Sequence, residues 1–306
     1  MTLPPYTPEE TRAGLIAGIS AYLIWGLLPL YLKLVGFADP MEVLAQRILW
    51  SVPTLIIGIA LLSGVVGGLR EMRAALRPRL LGALTLSAIF IFFNWAIYVW
   101  AVANDRVLDA ALAYFLAPLV QVAIGVVFYK ERLSAPQWAA LAFATVGVVV
   151  QGVALGAAPW ISLALCATWC AYTVVRKRAP VPAATGLFFE TVILVPPAIG
   201  LLLWLGARGA LTFGDGLTPA LLFVLAGPAT AIPLALFSFG ARRLPFATIG
   251  LLQYIAPSLQ FLIGMAYGEH MNALRAGSFA LIWVGLALFS YDVWRRERRA
   301  RAALQA

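Results

Sequence analysis

The chain has 306 residues, 62% of them hydrophobic and 11% charged, with a mean hydropathy of +0.91. A soluble domain carries about 25% charged residues and has too little interior to hide this much apolar surface, so the composition excludes a water-soluble globular protein and selects a bilayer as solvent. The net charge of +9 is not a nucleic-acid signature, because the basic residues lie in short clusters between apolar runs and not along one face.

Ten apolar runs are long enough to cross the hydrocarbon core, which takes about 20 residues at 1.5 Å rise each. They fall near residues 12–35, 40–63, 79–103, 107–129, 136–155, 158–176, 182–205, 218–241, 246–267 and 273–294. Continuous runs of this length are helices, not barrel strands, so the expected fold is an all-α membrane protein with ten transmembrane helices. Residues 1–11 are polar and include Glu9 and Glu10, so helix 1 is expected to stay as an anchor and not to be cleaved as a signal. Cys166 and Cys170, four apart in helix 6, read as small core residues. Neither they nor the single His270, placed in the loop after helix 9, builds a metal site, and no cofactor motif is present.

One segment occurs twice. Ala117-Pro118-x-x-Gln121 returns as Ala256-Pro257-x-x-Gln260, Gly125 as Gly264, Tyr129-x-Glu131 as Tyr267-x-Glu269, and Gly147 as Gly285. A looser alignment on Pro53 and Pro196 sets Arg47 opposite Glu190 and Lys33 opposite Arg176. The chain therefore divides into a first repeat over 1–155, a second over 156–294 and a basic tail over 295–306. Charge orients it. Seventeen of the 22 Lys and Arg residues lie at the two ends and in alternate loops, against four (Lys33, Arg106, Arg208 and Arg275) on the other side and Arg47 inside helix 2. By the positive-inside rule both termini are cytoplasmic. Five helices per half make the halves inverted, and paired inverted repeats are a transporter architecture.

Several motifs carry a resemblance. Ala21-Tyr22-Leu23-Ile24-Trp25-Gly26 with Pro29-Leu30-Tyr31, Arg47-Ile48-Leu49-Trp50-Ser51, Asn94-Trp95 with Trp100-Ala101-Val102, Glu131-Arg132, Arg176-Lys177-Arg178 and Gln253-Tyr254-Ile255-Ala256-Pro257 together resemble the RarD branch of the EamA family, in the drug/metabolite transporter superfamily. The resemblance covers about residues 12–294. It implies a ten-helix permease of the inner membrane built from two EamA repeats, with a central cavity and with helices 5 and 10 at the periphery. It also implies export or exchange of amino acids, metabolites or drugs, and a link to chloramphenicol sensitivity attaches to the branch name. Two departures stand out: Gln46 sits where the branch often has a histidine, and Ala117 where it often has an asparagine.

The candidate site residues form three groups. Arg47 and Glu190 lie inside helices 2 and 7, and at 1.5 Å per residue their depths differ by roughly 10 Å. Either each pairs with neighbours and fixes helices together, or they ring the cavity and take the two ends of a zwitterion. Prolines Pro29, Pro53, Pro118, Pro196, Pro197, Pro228, Pro233 and Pro257 fall inside the expected spans, each removing a backbone donor. The repeat-related pair Pro118 and Pro257 is where bends and gate movement are expected. Trp25, Asn94, Tyr98, Tyr114, Gln253 and Tyr254 are the polar and aromatic candidates for solute contact. Trp50, Trp160, Trp204 and Trp294 read as interfacial belt residues. Glu131 and Glu269 read as caps on helices 5 and 10, and Asp109 and Glu190 as candidate proton carriers. The expected partners are a small-molecule substrate and membrane lipid, without nucleic acid; whether small residues in helices 5 and 10 pack within one subunit or across a dimer stays open. The expected function is alternating-access transport of a small organic solute, an amino acid or similar metabolite, by export. A multidrug exporter is the alternative, and a membrane-embedded enzyme a remoter one, since nothing here supplies paired acids, a metal cluster or a nucleophile with its base.

Overall fold

The structure is a computed structural model that describes residues 7–129, 134–155, 158–179, 181–241, 243–244 and 252–305. Among these residues there are ten helices: α1 (Pro8–Leu34), α2 (Pro40–Ala75), α3 (Pro78–Ala103), α4 (Val107–Tyr129), α5 (Ala135–Leu155), α6 (Trp160–Arg178), α7 (Ala183–Ala207), α8 (Leu217–Ala241), α9 (Ile255–Ala266) and α10 (Ala273–Gln305). Seven contain stretches long and apolar enough to cross a membrane, and the shorter apolar stretches Val107–Val120, Trp160–Arg176 and Ile255–Ala266 belong to α4, α6 and α9. The chain is a multi-pass membrane protein.

Local chemistry sets the helix starts. Thr7 and Glu10 form a reciprocal capping box at α1, with Pro8 in its first turn. Asp39 accepts from the Met41 N–H at α2, and Pro40 and Pro78 open α2 and α3 with the ring geometry that a first helical position favours. The expected end of helix 2 at residue 63 marks a real break: Gly64 has φ 68° and ψ 163°, a conformation open to glycine, and the chain turns there into a second helical piece. That piece is fastened by Glu71, which accepts from Ser63 Oγ at 2.8 Å and Thr185 Oγ1 at 2.6 Å.

Packing follows one exchange rule. α1 packs on α8 and α9, α6 on α3 and α4, α2 on α7, α8 and α3, α7 on α2, α3 and α8, and α5 on α10. Exchanging α1–α5 with α6–α10 maps these pairings onto one another. A helix-by-helix correspondence of this kind is the packing expected of two inverted five-helix repeats. α5 and α10 pair at the edge and reach the body through α4 and, by Phe261 against Phe279 and Trp283, through α9. Their contact lies within one subunit: a Cβ on Gly147 would meet Ser278 O at 3.0 Å, and one on Gly285 would meet Ala140 O at 2.8 Å. Small residues here let the backbones approach closely.

Three expectations need correction. The helix expected over 246–267 is not continuous among the described residues, because Gln253 and Tyr254 form a turn ahead of α9. Pro257 therefore lies in a first helical turn, where no intrahelical N–H is lost, whereas Pro118 lies inside α4, as Pro29, Pro53, Pro196, Pro197, Pro228 and Pro233 lie inside their helices. The basic segment after 294 continues α10 as helix to Gln305, which leaves the expected tail as it was. Glu269 caps α4, not α10: it accepts from the Val107 and Leu108 N–H groups at 2.6 and 2.9 Å. Glu131 and its neighbours lie outside the described residues.

Gly285→Leu is expected to force α5 and α10 apart and to cost about 1–3 kcal/mol, the usual range for overpacking. A thermal unfolding midpoint equal to that of the unaltered protein would show that the two helices do not pack this way.

Candidate substrate site

Arg47 of α2 is surrounded by residues of α1, α3, α4 and α8. It is 5% exposed. Its Nε donates to Thr230 Oγ1 at 2.8 Å, and its guanidinium carbon stands 4.6 Å from the centroid of the Trp95 ring. α8 comes this close because Gly227 lies against the Trp50 carbonyl, where a Cβ would collide. The Thr230 hydroxyl donates in turn to Ala226 O at 2.9 Å. Arg47 Nη1 has no hydrogen-bond partner, and the ionisable groups that act on the guanidinium are the phenols of Tyr114, Tyr98 and Tyr31. Among the described residues no carboxylate forms an ion pair with it.

An aromatic string leads away from Arg47. Tyr98 and Tyr114 meet edge to face at 5.9 Å, Tyr114 meets Trp169 at 6.3 Å, and Trp169 meets Tyr172 at 5.6 Å. Asn94 fixes the middle of this string. Its Nδ2 donates to Leu165 O at 3.0 Å and Thr168 Oγ1 at 3.1 Å, and its Oδ1 accepts from the Tyr114 hydroxyl at 3.2 Å. Asn94 is thus a brace between α3, α4 and α6, whereas the Tyr98 hydroxyl, 97% buried with its ring, has no partner.

Glu190 closes the string. It is fully buried, accepts from Ser87 Oγ at 2.6 Å and the Tyr172 hydroxyl at 3.2 Å, and pairs with Arg176 Nε at 3.3 Å. Gly186, one turn earlier in α7, leaves the room that the Arg176 guanidinium occupies. The sequence left open whether Glu190 pairs with neighbours or faces a solute; it pairs, with partners on α3 and α6.

The remaining candidates separate from Arg47. Trp25 stacks edge to face with Tyr22 at 5.4 Å and lies 5.8 Å from Phe237, and its carbonyl accepts from Gln260 Nε2 at 3.2 Å. Gln253 and Tyr254 are half-buried in the turn before α9. Trp50, expected in the interfacial belt, turns inward to the Phe213 ring at 6.3 Å, while Trp160 and Trp204 stay half exposed. The Gln121 and Trp294 side chains lie outside the described residues.

The face carrying the α3–α4 and α9–α10 loops is clasped by charge. Asp109 bonds Arg106 Nε and Arg275 Nη2, each at 2.6 Å, and Lys33 pairs with Asp105 and stands 4.5 Å from the Tyr267 ring centroid. Burial holds the Glu269 carboxyl above the usual range, opposed by the two N–H groups it accepts from. Asp109 is committed to two guanidinium groups.

Sequence reasoning missed Ser87, Thr230, Tyr172 and Trp169. A signal was present for two of them. Arg47 and Glu190 are 143 positions apart, as are Lys33 and Arg176, and the same offset relates Ser87 to Thr230. The Arg47–Thr230 bond joins α2 to α8 and the Glu190–Ser87 bond joins α7 to α3, so the repeat exchange turns one contact into the other with the charge inverted.

Two inverted five-helix repeats closing on a buried, charged and aromatic centre define an inverted-repeat membrane transporter. Residues 12–152 match the EamA-like transporter family. The chain is 42% identical over 301 residues to Protein RarD of Streptomyces exfoliatus, covering 97% of this chain and 94% of that one. It is 43% identical over 305 residues to an uncharacterized transporter of Pseudomonas aeruginosa, covering 94% and 96%, and 35% identical over 294 residues to Protein RarD of Escherichia coli K12, covering 95% and 98%. A solved crystal structure shares the fold, with a TM-score of 0.59 over 94% of this chain and 99% of that one, at 22% identity. The chain belongs to the EamA-like transporter family, in its RarD branch.

Glu190→Gln leaves the Arg176 guanidinium without its carboxylate. Breaking a buried pair from one side costs about 3–5 kcal/mol, so the thermal unfolding midpoint is expected to fall clearly. An unchanged midpoint would mean that Arg176 does not depend on Glu190.

Proposed function

We propose that the protein is a permease of the inner membrane, with both termini cytoplasmic, that exports a small organic solute by alternating access. The repeats over 1–155 and 156–294, with the basic end 295–306 at the cytoplasmic face, interlock, so the moving bodies are mixed groups of helices, α1 with α8 and α9 on one side and α6 with α3 and α4 on the other. The observation that carries this reading is the pair of charge–hydroxyl contacts related by the repeat exchange, Arg47 with Thr230 and Glu190 with Ser87. Each ties a helix of one repeat to a helix of the other. A rocking motion that opens one face separates one contact while the other holds, which is what alternating access requires. Pro118 supplies a bend in α4, whose first turn is fastened to the opposite repeat by Glu269 and Arg275.

In this reading Arg47, Tyr98, Asn94 and Tyr114 surround one end of the solute, and Trp25, Gln253 and Tyr254 form the facing wall. Glu190 is occupied by Arg176 and acts between helices, so the solute meets the charge of Arg47. The preferred solute is an amino acid or a similar metabolite. Drug export is the second reading, and the name of one relative, the chloramphenicol-sensitive protein RarD of Pseudomonas aeruginosa, 31% identical over 292 residues, makes chloramphenicol the drug to test.

A thermal-stability panel of amino acids, other metabolites and chloramphenicol, followed by efflux of any hit from proteoliposomes, tests both readings. A ligand at 100 times its dissociation constant stabilises by about 2.7 kcal/mol, which such a scan detects. Stabilisation and efflux of a metabolite support the proposal. Stabilisation and efflux of chloramphenicol without any metabolite would replace it with drug export, and binding without flux would contradict the permease itself.

A further inference from the structure

We propose that the group by which the solute is recognised is an anion, a carboxylate or an equivalent oxyanion, held by Arg47 Nη1 and the Tyr98 hydroxyl beside the Trp95 ring. The proposal rests on the permease reading and narrows it from a small organic solute to one that carries a negative charge where it meets α2 and α3.

Charge balance is the first argument. Asp109 has two guanidinium partners, and Glu190 has a guanidinium and two hydroxyls. Glu42, fully buried, accepts from Thr212 N, Thr212 Oγ1 and Phe213 N. Arg47 has one neutral hydroxyl and an aromatic face. A guanidinium in a membrane interior without a counter-charge is costly, and buried charges are ordinarily paired. The anion that answers Arg47 is then a transient one, which is the property of a substrate.

Donor geometry is the second. Arg47 Nη1 and the Tyr98 hydroxyl are both buried without a partner and both can donate; the Tyr254 hydroxyl and Arg176 Nη1 are also unpartnered, but Arg176 already answers Glu190 and Tyr254 lies in the turn before α9. Nε is already spent on Thr230, so the guanidinium presents its outer edge, the edge that fits planar oxyanions. Asn94, the nearest amide in the string, has donor and acceptor both engaged and cannot compete. The third argument excludes the opposite charge. A solute that carries only a positive charge would be repelled by Arg47, and the intramembrane acid Glu190 that could offset the repulsion is already paired with Arg176. A zwitterion spanning Arg47 and Glu190, as the sequence suggested, would have to displace that guanidinium.

Two measurements on the full-length protein in detergent decide the matter. The first needs no ligand. Arg47→Met replaces an uncompensated charge by an apolar chain of similar length, and Thr230 keeps its bond to Ala226 O. The thermal midpoint is expected to rise by roughly 2–4 °C. A fall, of the kind expected for Glu190→Gln, would mean that Arg47 is a structural brace and would overturn the proposal. The second measures thermal stabilisation by phenylacetate, phenylalanine, phenylalaninamide and phenethylamine at matched ionic strength. The two carboxylates are expected to stabilise the unaltered protein, weakly in Tyr98→Phe and not in Arg47→Met, while the amide and the amine do nothing. Stabilisation by phenylalaninamide or phenethylamine equal to that by the acids overturns the anion assignment, and so does silence from both acids. Binding of an acid that is then not carried across proteoliposomes counts against the permease reading and leaves the anion site standing.

Discussion

A charged side chain inside a bilayer has to be answered, and the rest of this structure is arranged around two such charges. Water is absent from the hydrocarbon core, so a guanidinium or carboxylate there requires a partner, a polar network or a ligand. Glu190 is answered in full by Arg176, Ser87 and Tyr172. Arg47 is answered in part, by Thr230 and the Trp95 ring. The same architectural position in the two repeats thus holds one closed electrostatic account and one open one. The closed one joins helices, and the open one is where chemistry from outside the chain has a place.

Inversion of the repeats turns these contacts into a mechanism. α2 is fastened to α8 by Arg47 and Thr230, and α7 to α3 by Glu190 and Ser87, so each repeat grips the other near a different depth of the membrane. The edge pair α5 and α10 packs through glycines whose neighbours, Ala140 and Ser278, are themselves related by the repeat. Glu269 and Arg275 reach across to the first turn of α4, binding the opening of one repeat to the closing loop of the other. Polar contacts sit at the joints between the repeats, and the lipid-facing surfaces are left to aliphatic residues such as Leu61, Leu203 and Leu217.

Much of the fold was legible because bilayer thickness and charge distribution leave few alternatives. The ten helices, the doubling and the close approach at Gly147 and Gly285 all follow from run length, repetition and residue size. The turn at Gln253–Tyr254 was not legible, since the apolar run continues through it and its only local sign, Pro257, suits an interior kink and a helix start equally. Glu269 was misassigned because capping was sought in the adjacent helix, while the acceptor serves a helix of the other repeat. Arg47 and Glu190 were found from their depth alone, but their difference was not: which of two buried charges has a partner depends on Arg176, whose place in a basic loop cluster made it look like an orientation signal. The alignment that pairs Arg47 with Glu190 also pairs Ser87 with Thr230, and those hydroxyls carry the symmetry at the level of single atoms.

The central claim is that the two charge–hydroxyl contacts hold opposite faces of one rocking body. Paired spin labels test it most directly, with one pair at Arg79 and Val181, across the α3–α7 face, and another at Asn104 and Asp215, across the opposite face. The native Cys166 and Cys170 are buried and leave the labels distinct. In a Glu190→Ala background the Arg79–Val181 distance is expected to lengthen while the Asn104–Asp215 distance shortens or narrows. Distances that stay fixed at both faces, or lengthen at both together, would contradict the account.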